Sequence, residues 1–367
     1  MRKRIIISSL ISIVTHLIIN ASANASEIYN KDGNRLDLYG KVDARHVFSD
    51  NKPEDGDETY IRMGFKGETK INDELDGYGQ WEYNFNGNKS EGSDAQTGNA
   101  TRLGLVGLTT KKYGSLEYGR SLGALYDTES YTDMMPIYGG NSWARNDNFM
   151  SKRSTGLITY RNQGLFDLVP NLGIAVQYQG KNERSDVTRS NGDGVAMSTQ
   201  YSFNNGISIS GSWGQSDRTD GQQADGQGGQ ASAWASAIKY DQNQIYLAAM
   251  YSETKNMTPY TNTLFASKTK NLELVTQYQF LNGLRPSVGF VISRGSNLAA
   301  SGNSSETFTG GDENLLKYIE VGSNYYLNKN MVLYADYKIN LLKDNVFTRT
   351  AGVSTSNSVG IGMVYQF

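Results

Sequence analysis

Apolar and polar residues alternate at period two along most of the chain. In residues 36–48, Leu38, Val42, Ala44, His46 and Phe48 share one parity, while Asp37, Lys41, Asp43 and Arg45 share the other. In 59–71, Ile61, Met63, Phe65 and Ile71 oppose Arg62, Lys66, Glu68 and Lys70. In 78–87, Trp81, Tyr83 and Phe85 oppose Gln80, Glu82 and Asn84. The chain ends on the same pattern, "SVGIGMVYQF", with Val359, Ile361, Met363, Tyr365 and Phe367 on one face. This is the half-buried strand signal rather than a helical one. It predicts sixteen strands: 36–48, 59–71, 78–87, 100–109, 114–120, 155–161, 173–180, 195–203, 206–214, 232–240, 244–252, 271–280, 284–293, 317–327, 331–340 and 357–367.

Short and long connections alternate. The tight ones fall at "NDELDG", "KKY", "NN", "DQN", "NG" and "NK", with 162–172 a turn of intermediate length. The long ones are 49–58, 86–99, 121–154, 181–194, 215–231, 253–270, 294–316 and 341–356. Strands of about 9–11 residues with short turns on one side and long loops on the other are the pattern of an outer-membrane barrel. A soluble sandwich with Greek-key links does not alternate its link lengths in this way. The fold class expected is all-β, a 16-stranded antiparallel transmembrane β-barrel with its apolar face to lipid and its charged face to a water-filled lumen. Paired aromatics near strand ends, among them Tyr201, Phe203, Tyr278, Phe280, Tyr325, Tyr365 and Phe367, are the expected interfacial girdle.

That architecture reconciles a mean hydropathy of -0.53 with a membrane location. After residue 25 no run of about 18 apolar residues exists, so no helical span is available. Residues 1–25 read as a signal peptide: Arg2, Lys3 and Arg4 precede an apolar stretch from Ile5 to Ile19, and Ala23-Asn24-Ala25 is a cleavage pattern. Residues 26–367 then form the barrel domain, with Lys+Arg reduced from 35 to 32 against 37 Asp+Glu, a net charge of -5. This excludes nucleic acid as a partner class. Cysteine is absent, which excludes disulfides and thiol chemistry.

Catalytic chemistry finds little support. The exported chain keeps one histidine, His46, on the lipid parity, where no base is useful. Gly64, Gly67 and Lys70 lack phosphate-loop spacing, and the acidic segment 50–58 lacks the calcium-loop register. No catalytic residue, metal ligand or cofactor is assigned. The third long loop, 121–154, differs from the others in carrying Tyr126, Tyr131, Met134, Met135, Ile137, Tyr138, Trp143 and Phe149. Such content predicts a loop folded into the lumen, with apolar side chains on the wall and Asp127, Glu129 and Asp133 towards the channel. Facing it, the inward parity supplies Lys41, Arg62, Glu82 and Arg102, and Arg120 and Arg153 flank the loop. Cations on one wall and anions on the other would set a transverse field in a narrow passage, filtering solutes by size and charge.

Several segments carry a family resemblance: "EIYNKDGNRLDLYGKVDARHVFS", "GYGQWEYNFNGNKSEGSDAQTGNATRLGLVGL", "SYTDMMP", "NFMSKRSTGLITYRN", "VQYQGKNER", "RSNGDG", "GLRPSV" and the terminal "MVYQF". The chain resembles the enterobacterial general porins, the osmoporin and matrix-porin group. The resemblance implies a homotrimer of barrels in the outer membrane of a Gram-negative bacterium, each pore narrowed by its third loop and open to passive diffusion of ions and small hydrophilic solutes. It maps a basic wall onto Lys41, Arg62, Arg102 and Arg153, pore acids onto Glu82 and Asp133, and a trimer latch onto Glu91 with Arg120. Phe367 resembles the signal read by the outer-membrane assembly machinery, and contacts with outer-membrane lipids and lipopolysaccharide are implied. Long loops also permit phage or bacteriocin attachment.

One departure stands out. Where the family reads Pro-Glu-Phe-Gly-Gly-Asp, this chain reads Pro136-Ile137-Tyr138-Gly139-Gly140-Asn141. Two loop anions are missing, so a pore less cation-selective than its relatives is expected, unless Glu129 or Asp127 compensates. A substrate-specific sugar channel would need an aromatic ladder in the lumen, which the inward faces lack. A barrel enzyme is disfavoured by the lone His46.

Overall fold

A computed structural model describes residues 26–302 and 305–367; the signal-peptide reading of residues 1–25 lies outside the described residues. Sixteen long strands form one closed antiparallel sheet. They are β1 (Asn34–Ser49), β2 (Tyr60–Lys70), β3 (Leu75–Asn86), β4 (Ala100–Thr110), β5 (Gly114–Leu122), β6 (Arg153–Gln163), β7 (Leu172–Gln179), β8 (Gly194–Ser202), β9 (Ile207–Asp217), β10 (Gln230–Gln242), β11 (Ile245–Lys255), β12 (Lys268–Tyr278), β13 (Leu284–Leu298), β14 (Gly311–Tyr326), β15 (Met331–Asn340) and β16 (Ser358–Gln366). Each pairs with its neighbours in sequence, and β16 pairs with β1 from Lys41↔Gln366 to Ser49↔Ser358, closing the ring.

The closure uses both ends of the described chain. Gly40 and Phe367 exchange both backbone hydrogen bonds, each 3.1 Å. Two residues further along β1, the segment Ser26–Lys31 takes over the pairing, beginning at Ser26↔Leu38. The two termini thus lie end to end beside one strand, and the ladder on that side of β1 continues across the joint.

The expected strands appear within a few residues, with one substantial difference. β13 runs five residues beyond the expected end, and β14 begins six residues earlier. The added residues, "RGSNL" and "GDENLL", pair through two register shifts. No apolar outward residue is required above the hydrocarbon, so the alternation that marks the rest of these strands is missing there.

Alternation of exposure follows the predicted parity. Val359, Ile361, Met363 and Tyr365 are exposed on the outside of β16, as are Val106, Leu108 and Tyr118 on β4 and β5. Ring pairs Tyr201–Phe203, Tyr278–Phe280 and Tyr365–Phe367 sit at 4.8, 4.7 and 6.1 Å between centroids. All three lie where even-numbered strands reach the short-turn side, as a girdle requires.

Inside, three tyrosines brace the wall. Tyr39, Tyr78 and Tyr334 each stand directly opposite a glycine on the next strand: Gly64, Gly107 and Gly362. Each ring crosses that glycine, and its hydroxyl meets the strand beyond. Gln80 Nε2 donates to Tyr39 at 2.7 Å, Tyr78 donates to Glu117 at 3.0 Å, and Tyr334 donates to Asp43 at 2.5 Å. A Cβ on Gly64 would stand 2.6 Å from Tyr39 Cζ and 2.5 Å from the Trp81 carbonyl oxygen. Gly64→Val should therefore displace Tyr39 and cost about 1–3 kcal/mol of stability, the usual penalty of overpacking. A lowered denaturant midpoint for the refolded barrel would show this; an unchanged midpoint would mean the ring moves aside freely.

Candidate functional site: the inner loop and the basic wall

The loop between β5 and β6 turns inward at Gly123. Its N–H donates to the Lys152 carbonyl at 2.8 Å, and a side chain at this position would collide with the Met150 backbone. Entry and exit of the loop are thereby pinched together. The short helix α1 (Tyr126–Glu129) follows. It rests on inward positions of β8–β10 that are almost all small, including Ala196, Ser198, Ser210, Ser212, Ala233 and Ala235, every one buried. Thr128 and Ser210 hydroxyls meet at 2.9 Å. Arg161 holds Asp127 through two bonds of 2.7 and 3.2 Å, and Ser198 donates to the same carboxylate at 2.5 Å.

From there the loop crosses to the opposite wall. Tyr246 donates to the Tyr131 carbonyl at 2.6 Å, and Gln277 to the Met134 carbonyl at 2.8 Å. Glu273 accepts from the Thr132 hydroxyl and the Ser142 amide, both at 2.8 Å. At the tip, the Ile137 amide donates to Asp336 at 2.9 Å, the Tyr138 amide to Glu320 at 3.1 Å, and the Gly139 amide to the Tyr318 hydroxyl at 3.1 Å. Tyr318 in turn donates to Asn141 Oδ1 at 2.7 Å. Gly139 and Gly140 have φ of 86° and 56°, which lets consecutive amides turn towards one wall. Ile137 faces the bare backbone of Gly360, and Trp143, fully buried, donates to Glu129 at 2.6 Å.

This confirms the expectation of an inward-folded loop with apolar side chains on the wall, and corrects the expectation about its acids. Asp127 and Glu129 do not face a channel: they are 3% and 0% exposed, wedged behind the loop. Burial, reinforced by the neighbouring Glu273 carboxylate, pushes the Glu129 pKa well above the usual carboxylate range. Asp133 is partly exposed, but Lys152 Nζ lies 2.9 Å from it and the Tyr126 hydroxyl donates to it at 2.5 Å. Neither Glu129 nor Asp127 can replace the missing loop anions.

Across from the loop, the wall residues lie together as the parity predicted. Lys41, Arg45 and Arg62 surround the Tyr60 ring at 5.0, 5.4 and 5.1 Å from its centroid. Lys41 pairs with Asp43 at 3.0 Å and Arg45 with Glu58 at 2.7 Å. Glu82, nearly buried, is shared: Arg102 donates to it, and Arg62 Nε lies 3.7 Å from the same oxygen. Arg153 opens β6 and makes no ion pair among the described residues. Arg120 is engaged by Asp147 of its own chain through two bonds, while Glu91 is exposed in the second loop.

Sequence reasoning missed Lys152 and the carboxylates Glu273, Glu320 and Asp336. The inward parity of the three carboxylates was readable, but their partners lie between 131 and 199 residues away, and Lys152 lies in the loop, where parity says nothing. The small inward residues of β8–β10 were a usable signal: a wall lined by Ala and Ser has room for something to pack against it.

Replacing Asp336 by Ala leaves the Ile137 amide without its acceptor. Hydrogen exchange in a peptide covering 134–142 should then speed up at least about tenfold, as for a lost bond to a charged group; unchanged exchange would show that the tip is held by packing alone.

A family model described as Gram-negative porin matches residues 31–367. The chain is 50% identical over 372 residues to outer membrane protein F of Serratia marcescens, covering 97% of this chain and 98% of that one. It is 51% identical over 363 residues to outer membrane porin PhoE of Escherichia coli K12, covering 98% and 99%. Among solved structures, Salmonella typhi OmpF in complex with daunomycin superposes with a TM-score of 0.83 at 43% identity, over 93% of this chain and all of that one. OmpT of Vibrio cholerae, at 15% identity and a TM-score of 0.64, shares the fold.

Proposed function

The chain belongs to the Gram-negative porin family, and from that premise we propose how its channel discriminates among solutes. The protein is an outer-membrane channel for passive diffusion of small solutes, and not an enzyme. We propose that the inner loop forms the narrowest part of the lumen, opposite a basic wall of Lys41, Arg62, Arg102 and Arg153, and that the passage is less cation-selective than those of relatives, with a weak preference for anions.

The observation that carries this reading is the Lys152–Asp133 pair. It neutralises Asp133, while Asp127 is held by Arg161, Asp147 by Arg120, and Glu129 is buried. Ile137 and Asn141 add no charge. On the facing wall, Arg153 keeps an uncompensated charge. A fixed surplus of cations in a confined space raises the local concentration of anions, over a screening length of about 10 Å at 0.1 M salt.

The same premise supports a homotrimer, with Glu91 of one copy reaching Arg120 of the next as a latch. Lipopolysaccharide and other outer-membrane lipids would cover the remaining outward face. Phe367 is proposed as the residue read by the assembly machinery, because it also completes the closing ladder at Gly40.

Reversal potentials in a KCl gradient across a planar bilayer test the selectivity. The wild type should show no cation preference. Lys152→Met should unmask Asp133 and shift the permeability ratio towards cations roughly fivefold, the factor given by about 1 kcal/mol of electrostatic free energy. A strongly cation-selective wild type would refute the reading. Deleting Phe367 should lower the yield of trimer running as a slow band in unheated gels; an unaltered yield would remove its assembly role.

A further inference from the structure

Behind the inner loop, two carboxyl groups meet in a site closed to water. Glu129 ends α1 and is 0% exposed, and Glu273 projects inward from β12 and is 1% exposed. Consecutive residues of the returning loop bind them. Trp143 Nε1 donates to Glu129 Oε2 at 2.6 Å, and the Ser142 amide donates to Glu273 Oε1 at 2.8 Å. Thr132 donates to Glu273 Oε2 at 2.8 Å. Glu129 Oε1 is left over: it is buried and receives no hydrogen bond among the described residues, although the two carboxyls are in hydrogen-bonding contact. No cation answers the pair. On the loop, Lys152 is taken by Asp133, and on the wall Arg161 is taken by Asp127. Lys239 of β10 lies over the Tyr131 ring, 4.7 Å from its centroid. Tyr246 of β11 and Tyr318 and Glu320 of β14 face the same space and bring no positive charge.

We propose that Glu129 and Glu273 share one proton, carried on Glu129 Oε1 and donated to Glu273, and that this carboxyl–carboxylate bond positions the middle of the inner loop. Two carboxylates buried side by side without a cation cannot both stay ionised. Glu273 is the acceptor, because both of its oxygens already receive donors from the loop, as a carboxylate should. Glu129 is the donor, because only its Oε1 lacks a partner. With the proton there, every oxygen of the pair is satisfied. The bond ties α1 to the wall at the point where Ser142 and Trp143 return, so one contact fixes the outgoing and the returning halves of the loop. It concerns how the loop is held and stands whether or not the passage prefers anions.

The bond weakens as pH rises. Below the ordinary glutamate value of about 4.5, Glu129 is neutral with the loop docked or released. Above it, a released Glu129 ionises while a docked one keeps its proton, so docking loses up to about tenfold per pH unit until the docked group also titrates. Glu129→Gln removes the titration and keeps the geometry, since its amide can donate to Glu273 and its carbonyl can accept from Trp143. Positioning by the proton therefore predicts rescue by this variant.

The test is hydrogen exchange of the purified trimer, read as protection factors in peptides covering 126–134 and 140–144. From about pH 6 to about pH 9 wild-type protection should fall at least about tenfold, and that of Glu129→Gln should stay level. Infrared difference spectra between the two at neutral pH should show a protonated-carboxyl band in the wild type that the variant lacks. Level protection in the wild type, an equal fall in both proteins, or no such band overturns the shared proton. Current recorded in planar bilayers links this to the pore: flicker should grow with pH in the wild type alone. Protection that falls under a quiet current supports the bond and counts against the loop as the narrowest part of the lumen.

Discussion

Every part of this structure depends on satisfying backbone hydrogen bonds where water is absent. In hydrocarbon an unpaired N–H or C=O costs several kcal/mol, so strands can cross only in a closed ring. The exchange between Gly40 and Phe367, with Ser26–Lys31 continuing the same side of β1, is how this chain meets that demand at its weakest place. Elsewhere closure is between residues joined by a turn. Here the two ends of the domain must find each other, and any gap would leave β1 with an open edge. The tyrosines across Gly64, Gly107 and Gly362 act on the same problem from inside. They cover backbone that a glycine leaves bare, and tie alternate strands together.

The same constraint explains the inner loop. Its backbone has no regular partner, so each inward amide must find an acceptor on the wall. Glu273, Glu320 and Asp336 serve this purpose, accepting from Ser142, Tyr138 and Ile137. Wall carboxylates that face a lumen would ordinarily attract cations. Here they are turned to the loop backbone and shielded by the loop itself. Holding the loop and setting the pore's charge are therefore linked: an acid used as an anchor is withdrawn from the passage.

Much of the barrel was legible in the sequence because lipid on one side and water on the other impose a two-residue rhythm that few other settings produce. That rhythm stops being informative where the outside is water, which is why the extension of β13 and β14 as far as Leu298 and Gly311 was not foreseen. Parity also placed Lys41, Arg62, Glu82 and Arg102 correctly on one inner wall. It could not say which of these were paired, since a shared glutamate depends on register between β3 and β4 and on side-chain reach. The loop acids were misread for a related reason. Asp127 and Glu129 sit in a polar-looking stretch, yet both are buried, Asp127 on Arg161 of the wall and Glu129 on Trp143 of the loop itself.

Charge selectivity in such a passage is decided by pairing rather than by counting. The family comparison draws the eye to Ile137 and Asn141, where two acids are absent. Their absence alone would matter less if the remaining loop carboxylates faced the lumen unpaired. Lys152 changes that, because it removes the charge of Asp133 without removing the residue, and leaves it ordered by the Tyr126 hydroxyl. On the other wall, one glutamate divided between two arginines does the reverse: it keeps Arg62 and Arg102 close together while neutralising only half of their charge. Two like charges held at that distance are costly unless something answers them. We propose that water and passing anions do so, which would keep the wall electropositive.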